Sequence, residues 1–260
     1  MDISVIKSRL SALQNPRGGQ KKDLSQTIWR PGVGKHSVRI VPSVFNKQNP
    51  FKEVYMHYGI NNRSMMALTN FGEKDPIVEF AQGLRKSSEK DNWQLAKKLE
   101  PKMRVFAPVI VRGEEDKGVR LWEFGKQVYM DLLSIAEDED VGDYTDPIQG
   151  RDITVETAGK ETTGLMYNTS TVRVRTKSTP LSEDSDKVKQ WLENQPDPLT
   201  QFKRYSYDEM KEALLKHLNP EEDIKEQADQ VVSKQPESSQ YTLSTTKPSV
   251  DSAIDDLFDI

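Results

Sequence analysis

Three pairs of short β-rich segments, each pair joined by a turn-like stretch, constrain the fold of this chain more than any other feature. They are residues 36–43 and 51–59, residues 105–113 and 119–125, and residues 151–159 and 171–176. Apolar and polar residues alternate along several of these segments, and the short connections favour antiparallel hairpins. Between the second and third pairs, residues 126–136 carry a helical stripe of Val128, Leu132, Leu133 and Ile135. The pattern predicts a small antiparallel barrel interrupted by one helix.

The segments that flank the predicted barrel have a different character. In an N-terminal arm, residues 1–22, Ile3, Ile6, Leu10 and Leu13 lie on one stripe of an amphipathic helix. The arm is open to three interpretations: it packs on the body, lies on a membrane surface, or binds a partner. The predicted core is 23–218, with an inserted subdomain at about 60–103 and a helical part at about 183–218. The tail, 219–260, is acidic, and its Ser-, Thr-, Gln- and Pro-rich stretch 233–249 predicts disorder.

Charge is segregated along the chain, although the net charge is only −4. Residues 1–39 carry eight Lys and Arg against two acids, whereas residues 219–260 carry ten acids against three lysines. The body is therefore basic and its C-terminal end is acidic. A basic body attracts polyanions, and the overall isoelectric point conceals this property.

The composition argues against several classes of protein. Cysteine is absent, which excludes disulfides, thiol catalysis and cysteine-bound zinc and suits a reducing cytoplasm. No apolar run approaches the roughly 18 residues that a membrane-spanning helix needs. His36, His57 and His217 are too far apart to share a metal-binding spacing, and the acidic cluster 137–143 is interpreted as a solvated helix end rather than a nuclease-like metal site. We therefore expect a protein that is not an enzyme and binds no metal.

Aromatic and basic residues are interleaved along the predicted strands. This mixture is typical of surfaces that bind single strands, because cations follow the phosphates while flat rings stack on unpaired bases. The candidates are Tyr58, Arg63, Lys102, Arg104, Phe106, Arg112, Arg120, Trp122, Lys126, Tyr167, Arg173 and Arg175. The alternative interpretation is that rings such as Phe106 and Trp122 are core residues of the barrel.

Four parts of the sequence resemble, in order, the helix-destabilising single-stranded-DNA-binding proteins of T-even-type tailed phages, the gene 32 family. They are SVRIVPS with NPFKEVYMHYG, then FAPVIVRGEEDKGVRLWEFGKQVYMDLL, then GRDITVETAG with TGLMYN and STPL, and the terminal DSAIDDLFDI. The resemblance implies an OB-fold core, which is a five-stranded antiparallel barrel, that binds single-stranded DNA without sequence preference. It also implies an arm that docks on the neighbouring protomer, and an acidic tail. It places Arg39 at a phosphate-contacting position, Trp122 and Tyr167 at stacking positions, and Phe106 at an aromatic position.

The sequence departs from this family at two places. Many members hold a zinc ion through one histidine and three cysteines. Here His57 is present, but Asp75-Pro76-Ile77-Val78 stands where Cys-Pro-x-Cys would be, so we predict no zinc and no other cofactor. The segment is then expected to be held by packing of Met66, Leu68, Phe71, Ile77 and Phe80. In the arm, the family's cluster of basic and hydroxyl residues is reduced to Lys7-Ser8-Arg9.

Together these observations predict a cooperative single-stranded-DNA-binding protein of phage replication, recombination and repair, acting in the cytoplasm of the infected bacterial host. An RNA-binding or RNA-chaperoning OB protein and a pure interaction scaffold are the alternatives. Contacts between protomers are expected from Ile3, Ile6, Lys7, Arg9, Leu10 and Leu13. The terminus 250–260 is expected to compete with DNA for the basic groove and to bind replication and recombination proteins. Its candidate residues are Asp251, Ile254, Asp255, Asp256, Leu257, Phe258, Asp259 and Ile260.

Overall fold

The computed structural model describes residues 24–219 of the chain. The predictions for the arm at 1–22 and for the terminus at 250–260 lie outside the described residues. Within the described range, no helix is long and apolar enough to span a lipid bilayer.

Eight strands within the described range form one mixed sheet. They are β1 (Ile28–Trp29), β2 (Gly34–Ile40), β3 (Lys52–Ile60), β4 (Arg63–Met66), β5 (Lys102–Val111), β6 (Arg120–Phe124), β7 (Arg151–Ala158) and β8 (Thr169–Ser178). The main path runs β1-β6-β5-β2-β7-β8, and β3 pairs with both β5 and β4. β1 pairs with β6 in parallel, and the other pairs are antiparallel. The strands β6-β5-β2-β7-β8 thus form an antiparallel core of the kind that the sequence predicts.

Side-chain alternation explains why these strands curl around one core. On β7, Ile153 and Val155 are fully buried, while the residues between and beside them are more exposed. Val172 and Val174 of β8 pack against the same cluster, which also contains Trp122 of β6. Because both ends of the five-strand path contribute to one apolar cluster, the sheet is curled as in a barrel. The predicted fold class, mainly β with added helices, is confirmed.

The ten-residue strand β5 organises the sheet in a way that the sequence does not reveal. The sequence predicts that segments 36–43 and 51–59 pair with each other, but β2 and β3 do not pair. Instead, residues 38–40 of β2 pair with the end of β5, and residues 52–56 of β3 pair with its beginning. β5 is therefore long enough to hold two strands one after the other. The other two predicted pairs are confirmed as β5–β6 and β7–β8.

Six helices within the described range are added to this sheet. They are α1 (Pro76–Arg85), α2 (Lys90–Leu99), α3 (Lys126–Ala136), α4 (Lys160–Thr163), α5 (Ser185–Glu193) and α6 (Tyr207–Leu218). α3 is the helix that the stripe at 126–136 predicts, and its Val128 and Leu132 enter the barrel core. α6 begins with a capping box, in which the Ser206 and Glu209 side chains bond reciprocally to the backbone.

A second apolar cluster lies beside the barrel. α1, α2 and α6 pack there against the end of the β3–β4 hairpin, with Phe80, Leu84 and Leu214 almost fully buried. α6 follows the barrel in sequence by many residues, yet it completes the core of this earlier segment. The strand β3 contributes to two apolar clusters: Val54 and Met56 lie in one, and its last residue, Ile60, lies in the cluster of the helical part.

Candidate nucleic-acid interface

A cleft of about 300 Å³ opens where the two ends of the curled five-strand core approach each other. Residues that follow β1 line one part of it, residues at and just before the start of β8 line another, and β5, β6, β7 and the first turn of α3 supply the remainder. The lining residues are Arg30, Pro31, Arg104, Trp122, Glu123, Phe124, Gly125, Gln127, Val128, Thr157, Tyr167, Asn168, Thr169 and Ser170. The cleft therefore joins parts of the chain that are far apart in sequence.

Two arginines and one carboxylate set the charge of this cleft. Arg30 donates from Nε to Glu123 Oε2 at 2.7 Å, and a terminal nitrogen of Arg30 contacts the same oxygen. Arg104 Nε lies 3.4 Å from Glu123 Oε1 and donates to the Tyr58 hydroxyl at 3.3 Å. The Arg30 and Arg104 side chains are 57% and 41% exposed, whereas Glu123 is 8% exposed. With two cations against one carboxylate, these groups give the cleft a positive charge.

Tyr167 supplies an exposed aromatic ring at the cleft. Its residue is 66% exposed, and the adjacent Leu165 and Met166 are exposed as well. The loop that carries them leaves α4 through Gly164, whose φ of 69° lies in the left-handed region that glycine adopts readily. Three successive large apolar residues on a surface loop are poorly placed for contact with water alone and suit contact with a ligand. The predicted stacking role of Tyr167 is compatible with this position and stays a prediction.

Arg39 is not available to a phosphate, contrary to the role that the resemblance implies. Its side chain is fully buried, and Nε donates to Asp152 Oδ1 at 3.0 Å. Nη2 donates to the carbonyl and hydroxyl oxygens of Thr179 at 2.7 and 2.6 Å. Burial lowers the pKa of the guanidinium, and the negative charge of Asp152 opposes that shift. Arg39 therefore joins β2 to β7 and to the segment that follows β8.

Arg112 and Arg120 are held by carboxylates of the protein, and their predicted role in DNA binding stays a prediction. Arg112 forks onto Asp152, with Nε 3.1 Å from both carboxylate oxygens and Nη2 2.9 Å from Oδ1. Arg120 is 5% exposed and donates to Glu114 at 2.6 Å. The Arg112 side chain keeps 22% of its surface exposed, and the Arg120 side chain keeps 6%.

Trp122 and Phe106 are core residues, which is the alternative that the sequence left open. Trp122 is 0% exposed, and its ring centroid lies 4.6 Å from that of Phe124 and 5.7 Å from that of Trp29. Phe106 is equally buried and packs edge-on against Phe202, with centroids 5.7 Å apart. Neither ring has a face on which a base can stack.

Two of the remaining predicted residues lie close to the cleft. Lys102 is exposed and precedes Arg104 by two residues on β5, so that both side chains lie on one face of the sheet. Its Nζ donates to the backbone carbonyl of Lys97 at 3.1 Å. Lys126 is exposed at the start of α3, between the cleft residues Gly125 and Gln127. These lysines extend the positive surface on both sides of Arg104.

The other predicted basic residues are exposed but do not line the cleft. Arg63 begins β4, in the helical part of the molecule. Arg173 and Arg175 alternate with the core-facing Val172 and Val174, so they point outward from β8. These three arginines can contribute to a general positive potential.

Sequence reasoning missed two exposed residues. Arg30 contributed to the count of basic residues but was not predicted to bind DNA. Its position directly after the apolar pair Ile28–Trp29 indicates the end of a strand. Trp93 on α2 is 45% exposed, with the Arg85 guanidinium 5.4 Å and the Lys97 ammonium 5.7 Å from its ring centroid. The spacing of Trp93 and Lys97, four residues apart on one helix, was the available signal.

The residues at the position of the family's zinc site do not fit a metal ion. His57 Nδ1 lies 2.9 Å from the Leu99 carbonyl oxygen, and Nε2 lies 3.2 Å from Asp75 Oδ2. Asp75 also accepts hydrogen bonds from the backbone N–H groups of Leu68, Ile77 and Val78 at 2.8, 3.0 and 3.1 Å. Both ring nitrogens and both carboxylate oxygens thus have protein partners. The part of the chain that the structure describes contains no cluster of three or more potential metal ligands.

His57 and Asp75 form a buried polar cross-link instead. Burial alone would raise the pKa of Asp75, but the hydrogen bond and charge of His57, with backbone N–H groups, hold it below its ordinary value of 3.8. Both ring nitrogens of His57 face oxygen atoms of the protein, the Leu99 carbonyl and the Asp75 carboxylate. The pair joins β3, the turn at Leu68–Phe71, the start of α1 and the end of α2. Of the residues predicted to hold this segment, Leu68, Ile77 and Phe80 pack in one apolar cluster, whereas Met66 and Phe71 belong to another.

The sequence matches one family of known proteins, described as gp32 DNA binding protein like, over residues 32–220. The match covers well over half of the chain and includes strands β2 to β8 and all the helices described above. A search of curated proteins found no match.

Proposed function

This chain belongs to the gp32-like family of DNA-binding proteins, and on that premise we propose that it binds single-stranded DNA, without sequence preference, through the cleft between β6 and β8. The observation that carries the proposal is the combination of exposed arginines and an exposed ring in one cleft. Glu123 contacts both Arg30 and Arg104, the Tyr58 hydroxyl contacts Arg104, and Tyr167 lines the same cleft.

Each group has a defined part in this proposal. The outward guanidinium nitrogens of Arg30 and Arg104 donate to phosphate oxygens, and Lys102 and Lys126 extend this contact along the backbone. Tyr167 stacks on an unpaired base, which contributes about 1–3 kcal/mol and tolerates any base because every base has a flat face. Affinity then depends on charge and stacking, and sequence preference is weak.

The shape of the cleft favours a single strand over a duplex. A cleft of about 300 Å³ can admit part of a single strand and is too small to enclose a double helix. Stacking on Tyr167 requires a free base face, which a paired and stacked base inside a duplex does not offer. Preferential binding to single strands shifts the melting equilibrium of a duplex by mass action.

The test is equilibrium binding of a labelled oligothymidylate to the full chain over a range of salt concentrations. We expect affinity to fall steeply with salt, with a log–log slope of about −0.7 per phosphate neutralised. Tyr167→Ala should weaken binding by about 1–3 kcal/mol at every salt concentration. Phe45→Ala is the matched control, because Phe45 is an exposed ring that does not line the cleft. Equal effects of the two substitutions, or salt-independent binding, would contradict the proposal.

Intrinsic fluorescence gives an independent readout. The chain has four tryptophans, and Trp93 is exposed whereas Trp29, Trp122 and Trp191 are buried. Trp93 and Lys97 belong to α2, Arg85 is the last residue of α1, and the Lys97 carbonyl oxygen accepts a hydrogen bond from Lys102 beside the cleft. If DNA follows this surface, binding should quench the fluorescence, and Trp93→Phe should remove the quenching. Quenching that survives in Trp93→Phe would indicate that a buried tryptophan changes its surroundings.

We further propose that binding is cooperative, and that the protein serves replication, recombination and repair of phage DNA in the infected bacterial cell. The support is the family and the sequence of the two ends, since the basic arm and the acidic terminus have the composition of interaction segments. RNA is the principal competitor as a ligand. Competition between DNA and RNA oligonucleotides of the same length and sequence decides between them, because only RNA has the 2′-hydroxyl group.

A further inference from the structure

Glu123 is an unexpected residue in a cleft that binds phosphates. Among the described residues 24–219 that line the cleft it is the one carboxylate, and it cancels part of the charge that attracts DNA. It is also 8% exposed, so its desolvation has to be offset by its two arginine partners. A negative charge at this position needs a reason.

The contacts of Glu123 with Arg30 and Arg104 explain why a carboxylate is present in this cleft. Arg30 uses Nε and one terminal nitrogen on Oε2, and Arg104 directs Nε toward Oε1. Arg104 also contacts Tyr58. Its Nε donates to the Tyr58 hydroxyl, and its guanidinium carbon lies 5.9 Å from the centroid of the Tyr58 ring. One carboxylate thus holds two guanidinium groups by their inner edges, while a large part of each side chain remains exposed to solvent.

We propose that Glu123 is a positioning residue for DNA binding: it fixes Arg30 and Arg104 side by side as a paired phosphate clamp at the mouth of the cleft. The inference rests on the proposed function. Two cations close together repel each other, and two long side chains are mobile when unrestrained. A carboxylate between them removes both difficulties, because it screens the repulsion and orders the side chains before DNA arrives. The outer nitrogens then face a phosphate in a preset geometry.

Two effects of removing the carboxylate have opposite signs, and this makes the proposal testable. Glu123→Gln makes the cleft more positive, which by itself strengthens attraction for DNA. The same change removes the shared anchor and turns an amide N–H₂ toward one of the arginines, which disorders the clamp. If positioning dominates, Glu123→Gln weakens binding about three- to tenfold although the cleft gains positive charge.

The experiment measures binding of a short oligothymidylate to the full chain and to Glu123→Gln, Arg30→Ala and the double variant. We expect Glu123→Gln to weaken binding in the parent chain and to have no weakening effect once Arg30 is removed, because the clamp is then already lost. Glu156→Gln is the matched control: Glu156 is an exposed carboxylate on β7 that does not line the cleft. Thermal unfolding of each variant separates a local change from a loss of fold.

The outcomes are distinct. Tighter binding or unchanged affinity in Glu123→Gln would overturn the positioning role, and so would an equal loss in the presence and absence of Arg30. Absence of DNA binding by the unmodified chain would instead overturn the proposed function itself. The clamp is supported if Glu123→Gln reduces DNA affinity without changing the melting temperature, and if this reduction disappears in the Arg30→Ala background.

Discussion

Removing the charge of Asp75 tests whether the His57–Asp75 cross-link holds the helical part of this protein together without a metal. Asp75→Asn is the informative change, because asparagine is as good an N-cap as aspartate and the α1 cap contacts to Ile77 and Val78 are retained. What is lost is the negative partner of His57, in a place where both side chains are 0% exposed. Asp75→Ala removes the cap as well.

The magnitudes follow from the contacts. Breaking a buried ion pair by removing one partner costs about 3–5 kcal/mol. The loss in Asp75→Asn should be smaller, about 1–3 kcal/mol, since the amide can still form a hydrogen bond. Both variants deprive the Leu68 N–H of its acceptor Oδ2, and Asp75→Ala adds the lost cap, at about 1 kcal/mol. Because a typical domain is stable by about 5–15 kcal/mol, the alanine variant should be close to unfolding.

The stabilisation that Asp75 contributes should decrease in acid. The pKa of Asp75 is lowered in the folded protein, so its contribution is complete above its ordinary value of 3.8 and is lost as the pH falls below that value. The stability difference between the parent chain and Asp75→Asn should therefore be constant near neutral pH and should shrink in acid. Urea unfolding at a series of pH values measures it, provided that the slope with urea is the same for both proteins.

Asp184→Asn is the control for this experiment. Asp184 is also an N-cap aspartate, at the start of α5, and it accepts from two backbone N–H groups. It is exposed, so its replacement should change the free energy of unfolding by less than about 0.5 kcal/mol. If Asp75→Asn is no more destabilising than Asp184→Asn, or if its effect does not diminish in acid, the buried pair is not the cross-link described above.

Four further predictions concern the core, the metal and the two ends of the chain. Trp122→Ala should lower the free energy of unfolding by about 3–5 kcal/mol, and the fraction that remains folded at low temperature should keep its DNA affinity; a stable variant with weak binding would restore the stacking role. EDTA should leave the melting temperature unchanged, and a decrease that zinc reverses would show a metal site. Deletion of residues 1–22 should abolish cooperativity on long single strands and spare binding to a one-site oligonucleotide, whereas an equal loss of both would place the arm in the core fold. Deletion of residues 250–260 should tighten DNA binding at low salt and remove binding to replication proteins, and unchanged affinity at low salt would refute competition between the tail and DNA.

The local parts of this fold follow from the sequence itself. The pairs β5–β6 and β7–β8 are hairpin-like neighbours, so alternation and a short connection are sufficient to predict them. α3 follows from its apolar stripe in the same way. The absence of cysteine and the segregated charge also needed no structure. Each of these features depends on residues close together in the chain.

The cleft could not be predicted from the sequence, because it is formed by contacts between residues that are far apart in the chain. Arg39 lies between two apolar residues on β2, a pattern that predicts an outward-facing side chain. Segments more than a hundred positions away, at Asp146, Asp152 and Thr179, cover it instead. Trp122 has the same local pattern whether its face of β6 lies inside a barrel or open to a ligand. Only the curling of the sheet closes that face and brings Arg30 and Tyr167 to one cleft. Side-chain alternation says which residues share a face, and tertiary packing decides which face meets water, because burial depends on what the rest of the chain places over it.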